Sequence, residues 1–295
     1  MDLTIPVLSQ HPASGSHGGG YTNPTVSILG VDVSAINLKM AIDTIDQWIH
    51  RREARYVCVT GVHGLMESYW HPAIKQIHNA AGMVTPDGMP LVWLSRAMGF
   101  RHVDRVYGPD LMLAICQNSI RAGYRHFFYG GAAGIPEKLA GKLANRFQGL
   151  DVAGTYSPPF RPLSRDEDES IIRAINETRS DIVWVGMSTP KQELWMAEHV
   201  GKILAPVMIG VGAAFDFHAG VKKQAPVWMQ RSGCEWLFRL SQEPRRLWRR
   251  YLIGHSMFVA LLALHMFRRV SNLMISYSGL SRSMSRKDHR SQKTV

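Results

Sequence analysis

The sequence predicts an α/β fold: a mostly parallel, Rossmann-like sheet with helices on both faces, extended by a basic amphipathic helical C-terminal appendage. Three observations predict it. Short apolar segments rich in β-branched and aromatic residues alternate with helical patterns at least five times, which is the signature of a parallel sheet covered on both sides. Ile182 to Leu204 holds the repeating unit in one piece: a buried strand, the sharp turn Gly186-Met187-Ser188, and a helix start. The charge is also uneven, because residues 222–295 carry 15 Lys or Arg against three acids, while residues 1–221 carry 19 against 20.

Taken in order, residues 1–24 lack hydrophobic periodicity, include SGSHGGG, and are expected to be a disordered leader. Val26–Val33 reads as a strand at the sheet edge or in a flanking hairpin, and Asn37–Arg52 as a helix with Ile42, Ile45, Trp48 and Ile49 on one face. Arg55–Val62 is a strand, followed by a helix over His63–Ala80. Thr60, near the end of that strand, is open between a core threonine and a ligand contact. Met83–Pro86 leads into Asp87 and a helix to Phe100; taken alone, Asp87 reads as the N-cap of that helix. Val106–Asp110 opens the next helix around Tyr107 and Pro109.

His126–Tyr129 is a short strand ended by Gly130-Gly131, a pair that makes a tight turn or lets backbone approach a ligand, and Ile135–Phe147 is its helix. The glycines do not have dinucleotide-fingerprint spacing and no phosphate-loop motif occurs, which speaks against NAD and ATP hydrolysis. Val152–Tyr156 is a strand, and Ser164 with Glu167 forms a capping box for a helix to Arg179. In the central unit Thr189 is expected as N-cap, Pro190 at the first helical position and Gln192 closing a second box, with free N–H groups aimed at phosphate. Val207–Val211 is the last strand, running into Asp216. Thr60, Asp87, Gly130, Gln192 and Asp216 thus all fall at strand carboxyl ends, where open α/β sheets bind ligands.

The expected organisation is a leader over 1–24, an α/β core over 25–224, an appendage over 225–280 and a disordered basic tail over 281–295. Cys58, Cys116 and Cys234 are widely spaced and odd in number, against disulfides and a zinc site, and Cys58 reads as a core thiol. No cofactor and no metal are expected. Ile253–Phe267 is apolar but shorter than a membrane span, so it reads as an interfacial helix. No charged head followed by an apolar run opens the chain, so it is expected in the cytoplasm.

Several stretches together resemble the TagA/WecG/CpsF family of bacterial glycosyltransferases: Thr85–Pro90, Arg105–Asp110, Gly186–Glu193, Gly210–Gly220, and Ala225-Pro226 with Gly233–Tyr251. The resemblance covers roughly Val26 to Tyr251. It implies metal-independent, inverting transfer of a sugar (N-acetylmannosamine, its uronic acid, or a hexose) from a UDP-sugar donor to a polyprenyl-diphosphate-linked saccharide acceptor. Such reactions build surface and exopolysaccharides at the cytoplasmic membrane face. It further implies Asp87 as general base, Thr60 as a residue holding the reacting sugar, and Gln192 in the nucleotide-sugar pocket. The asparagine usual shortly after this threonine is absent. Tyr107, Gly130, Gly186 and Asp216 are candidates for binding or bracing the substrate loops, and Arg231, Arg239 and Arg246 for meeting diphosphate or lipid headgroups. An anionic membrane surface is the expected partner, with peripheral association at the inner face of the plasma membrane; apolar surface in the last quarter also suits a homo-oligomer. A non-catalytic nucleotide-sugar-binding membrane adaptor is the alternative. No nucleic-acid module is recognisable, so nucleic acid is not expected as a partner.

Overall fold

The computed structural model describes residues 8–11 and 23–264. A small antiparallel sheet opens the chain, with β1 (Leu8–His11), β2 (Thr25–Ile28) and β3 (Val31–Ser34) in that order. The apolar run Val26–Val33, expected as one strand at the sheet edge or in a flanking hairpin, itself forms a tight hairpin of two strands outside the main sheet. Leu29 and Gly30 both take positive φ, 53° and 81°, the geometry that reverses a strand in two residues. The segment expected to be a disordered leader contains β1, which pairs with β2; residues 1–7 and 12–22 lie outside the described residues.

The core follows as α1 (Leu38–His50), β4 (Arg55–Thr60), α2 (Val62–Trp70), α3 (Pro72–Ala80), β5 (Met83–Pro86), α4 (Met89–Ala97), α5 (Gly108–Ala122), β6 (Arg125–Gly130), α6 (Ile135–Arg146), β7 (Asp151–Tyr156), α7 (Arg165–Glu177), β8 (Ile182–Gly186), α8 (Lys191–His199), β9 (Val207–Gly210) and α9 (Ala214–His218). The helix expected over His63–Ala80 is two. His71 precedes Pro72 and is forced to extended backbone, φ −125° and ψ 100°, which ends α2. The capping box of α7 forms as expected: Glu167 N–H donates to Ser164 Oγ, and Ser164 N–H to the Glu167 carboxylate.

Six strands form one all-parallel sheet in the order β5-β4-β9-β8-β6-β7. Its middle is dry: Ile182, Val183, Trp184 and Val185 of β8 are fully buried, as a parallel strand covered on both faces must be. The connection from β4 runs to one edge and that from β6 to the other. The carboxyl ends between those diverging connections are the place where such sheets open a crevice.

Beyond α9 come α10 (Val227–Arg231), α11 (Glu235–Gln242) and α12 (Pro244–Trp248). The chain divides into two compact units, residues 1–247 and 248–295, and α10 and α11 belong to the first. In the second unit a π-helical turn, Arg249–Ile253, leads into helical residues 254–264, with the Arg249 and Arg250 guanidiniums 5.2 and 5.6 Å from the Trp248 and Tyr251 ring centres. Among the described residues no helix is long and apolar enough to cross a membrane. The end of the expected interfacial helix, the apolar turn at Leu273–Tyr277 and the tail from Ser281 lie outside the described residues.

One buried polar pair ties β6 to β8. Trp184 Nε1 donates to His126 Nδ1 at 2.9 Å, the two rings lying nearly parallel, and His126 is fully buried. Accepting at Nδ1 requires a neutral ring, and burial pushes the His126 pKa down to about 3. The unfolded chain therefore binds a proton that the folded chain refuses. The stability due to this group is complete above about pH 6.5 and is lost as pH falls toward about 3, at up to about 1.4 kcal/mol per pH unit. His126→Gln keeps an acceptor for Trp184 and removes the titration. Urea unfolding at pH 4, 5, 6 and 7 should give the variant a pH slope shallower by about one proton; identical slopes would show that His126 does not contribute.

Candidate active site

Asp87 lies just past β5, where its N–H donates to the Thr60 and Thr85 carbonyls at 3.1 and 3.0 Å. It does not cap α4, as it would if its only role were local. Gly88 is the N-cap, without a side-chain bond. The carboxylate instead lies beside Gly61 and Arg105 at the carboxyl end of β5. Its Oδ1 is buried with no hydrogen bond, while the side chain as a whole keeps 27% of its exposure. Burial holds the Asp87 pKa above the usual carboxylate value and Glu235 adds to this. Arg105, Arg239 and the backbone N–H of Gly108 pull the other way.

The segment before α5 is stitched to the end of β5. Val106 N–H donates to the Pro86 carbonyl at 3.1 Å, and Thr85 Oγ1 to the Val106 carbonyl at 3.3 Å. Alternation along this extended piece puts Arg105 and Tyr107 on one side. The Arg105 guanidinium lies 3.9 Å over the Tyr107 ring, donates through Nε to the Asp87 carbonyl, and donates through Nη2 to Glu235 Oε2 at 2.6 Å. Tyr107 OH donates to Glu235 Oε1 at 3.1 Å. Arg239, one turn further along α11, has its guanidinium 5.7 Å from the Phe217 ring centre. The turn before α11 rests on α4: a side chain at Gly233 would sit 2.8 Å from the Trp93 ring. Asp87, Arg105, Tyr107, Glu235 and Arg239 are thus brought together. Arg105 and Glu235 both stand in stretches that carry the family resemblance, but residue type and spacing alone gave neither a role.

Thr60 and Gln192 sit deeper. The Thr60 hydroxyl is 3.1 Å from His78 Nε2 and 3.3 Å from the Cys58 carbonyl, and the residue is 2% exposed. His78 in turn bonds the Ile74 carbonyl and Ser68 through Nδ1, and burial holds its pKa below the ordinary histidine value. Thr60 meets Asp87 through its backbone carbonyl. Gln192 is not part of a capping box, and Thr189 is not the N-cap. Thr189 Oγ1 donates to Glu193 Oε1 at 2.8 Å, Pro190 takes the cap position, and Gln192 turns inward against Gly210 and Gly212. Its Nε2 donates to Glu193 at 3.2 Å, and its Oε1 is buried without a partner. The expected helix start is real, but a buried Glu193 claims the threonine that would have capped it. Cys58 is fully buried, a core thiol whose pKa burial raises well above normal.

The glycines at the strand ends are there for close packing. Gly130, at φ 117°, has no room for a side chain beside the Gly186 backbone, and a side chain at Gly186 would sit 2.6 Å from the Phe215 ring. Asp216 pairs with Lys222 at 2.9 Å, which also reaches Glu243 at 3.3 Å, so it braces the chain after α9. Arg246 is held by Glu243, and Arg231 is exposed at the end of α10. The helices α2, α4, α6 and α8, which follow β4, β5, β6 and β8, all start without a side-chain cap hydrogen bond. Among the described residues no group of three or more His, Cys, Asp or Glu is arranged to hold a metal ion.

The model of the glycosyl transferase WecG/TagA/CpsF family matches residues 26–272. A Bacillus spizizenii protein named N-acetylglucosaminyldiphosphoundecaprenol N-acetyl-beta-D-mannosaminyltransferase is 29% identical over 186 residues, 63% of this chain and 70% of that one. A Staphylococcus aureus protein of the same name is 26% identical over 227 residues, 76% and 87% of the two chains. The chain belongs to the WecG/TagA/CpsF family and is a glycosyltransferase.

The contact of Gly186 with Phe215 gives a stability test. Gly186→Ala should cost about 1–3 kcal/mol in urea unfolding, because the new methyl overpacks the ring. Gly141→Ala, in α6 with nothing within 4 Å, should be neutral or stabilise by up to about 1 kcal/mol. Equal effects at the two positions would mean that Phe215 gives way freely.

Proposed function

We propose that this family member transfers a sugar from a UDP-sugar to a hydroxyl of a saccharide carried on a polyprenyl diphosphate, with inversion, and that Asp87 is the general base. The observation that carries this is Asp87 Oδ1: a buried carboxylate oxygen at the ligand-binding edge of the sheet, without a hydrogen bond, on a group held more basic than an ordinary aspartate. A base that must accept a hydroxyl proton needs both a free lone pair and a raised pKa. The acceptor oxygen bonds to the anomeric carbon, the bond from that carbon to the diphosphate breaks with its electron pair leaving on UDP, and the hydroxyl proton passes to Asp87. The names of the relatives support N-acetylmannosamine as the sugar and N-acetylglucosaminyl diphosphoundecaprenol as the acceptor.

The charge that develops on UDP needs cationic or N–H partners. The uncapped starts of α4, α6 and α8 and the guanidiniums of Arg231, Arg239 and Arg246 are the groups of this chain suited to it. Gln192 Oε1 would accept from the donor. Thr60 acts through its carbonyl, fixing the backbone of Asp87, while Tyr107 and Asp216 hold the loops around it. An acceptor on a lipid, together with a nucleotide-sugar donor, supports work at the cytoplasmic membrane face, in surface or exopolysaccharide synthesis. The basic, aromatic-rich end of the chain suits an anionic bilayer.

The test is a transfer assay with a panel of UDP-sugars, including UDP-N-acetylmannosamine, and N-acetylglucosaminyl diphosphoundecaprenol in detergent, with and without chelator. Asp87→Asn should lower kcat by about 10²–10⁴-fold while UDP-sugar binding and the melting temperature stay near wild type. Wild-type kcat/KM should fall as the medium is acidified through the Asp87 pKa, because only the carboxylate accepts the proton. Full activity in Asp87→Asn would remove it from the mechanism.

A further inference from the structure

Glu235 is the acidic residue of α11, and the transfer step leaves it without a role. Both its oxygens are engaged, Oε2 by Arg105 and Oε1 by Tyr107, and its side chain is 13% exposed. Arg105 has two carboxylates within reach and hydrogen-bonds one of them. Its Nη2 is 2.6 Å from Glu235 Oε2 but 3.8 Å from Asp87 Oδ1, the oxygen that makes no hydrogen bond. We propose that Glu235 is a positioning residue for Asp87: by holding Arg105 it keeps the guanidinium out of hydrogen-bonding range of Asp87 Oδ1 and leaves that oxygen for the acceptor hydroxyl. This deepens the reading of Asp87 as the base and rests on it.

The geometry matters because a charge-assisted bond from arginine would occupy the lone pair the reaction needs and would make the carboxylate a weaker base. The groups facing Asp87 come from two elements. From the segment entering α5 come Arg105, Tyr107 and the Gly108 N–H, and from α11 come Glu235 and Arg239. Asp110, in the first turn of α5, interacts with Arg105 and Glu235. Arg105, Arg239 and Gly108 favour the charged form of Asp87, whereas burial and Glu235 oppose it. Neutralising Glu235 removes a negative neighbour and releases Arg105 toward Asp87. Both changes act in the same direction, toward ionisation of Asp87 at lower pH. Glu235 is carried by α11, so the base takes its working form only with that helix seated against Arg105 and Tyr107.

The experiment follows the Asp87 carboxyl carbon by NMR on protein labelled with ¹³C-aspartate, its signal assigned by its loss in Asp87→Asn. In Glu235→Gln the titration midpoint should move to lower pH, and in Glu235→Asp, which keeps the charge on a shorter arm, it should move the same way by less. A midpoint that stays or rises in both variants overturns the proposal. In the transfer assay with UDP-N-acetylmannosamine and N-acetylglucosaminyl diphosphoundecaprenol, the acid limb of kcat/KM should shift with the midpoint, and kcat should drop about tenfold at neutral pH. Equal loss at every pH with the limb unmoved would make Glu235 merely structural and also overturns it. Full activity in Asp87→Asn is a different failure: it removes the base, and the role of Glu235 with it, whereas an inactive Asp87→Asn with an unmoved midpoint sinks the Glu235 inference alone.

Discussion

The Arg105 guanidinium is the interaction on which the site depends. It joins three parts of the chain far apart in sequence: the Asp87 backbone past β5, the Tyr107 ring at the start of α5, and Glu235 on α11. A guanidinium with 15% of its side chain exposed has left most of its water and must replace it with carbonyl, carboxylate and ring contacts. Those contacts are available only when β5, the segment after α4 and α11 are all in place. Removing one partner of such a pair typically costs about 3–5 kcal/mol, because the other charge is left buried and uncompensated. The edge of the sheet and the helix that covers it are therefore bound by the same charges that surround Asp87.

Much of the architecture was legible because it is written in local patterns. The apolar segments of β4, β8 and β9 are uninterrupted, as strands buried on both faces must be, and the capping box at Ser164 and Glu167 needs only four consecutive residues. The errors fell where a local pattern competed with another signal. Leu29-Gly30 is a weak hairpin signal because leucine rarely takes positive φ, so the apolar run hid the turn. Pro72 was the visible sign that α2 and α3 are separate, overridden by helical periodicity on either side. Thr189 had the right residue type and spacing for a cap but had a partner inside the core, and no local rule anticipates a buried Glu193.

The site divides along the same line. Asp87 at a strand end can be found from sequence, because parallel topology brings all such ends to one edge. What surrounds it cannot. Glu235 is 130 residues from Arg105, and His126 is 58 from the Trp184 indole it accepts from. Both pairs depend on which strands become neighbours and on where the chain returns after β9. Thr60 shows the converse: its position was legible but its orientation was not, because His78 draws the hydroxyl inward and leaves the carbonyl toward Asp87.

Two kinds of buried polar atom coexist in this core, those paired between neighbouring elements and those without a hydrogen bond, and the second kind includes His126 Nε2 near the start of β6 as well as two acceptors at the carboxyl edge. The His126–Trp184 and Thr60–His78–Ser68 contacts pair polar atoms between neighbouring elements, and they rigidify the sheet. Asp87 Oδ1 and Gln192 Oε1 are buried acceptors without partners, and both lie at the carboxyl edge, past β5 and against Gly210 and Gly212 of the β9 end. An unpaired buried acceptor costs about 1–3 kcal/mol, and folding alone would select an apolar replacement at each position. Their shared location fits a ligand that supplies the missing donors. In the proposed reaction a sugar hydroxyl at Asp87 and a donor N–H or O–H at Gln192 would relieve that cost on binding.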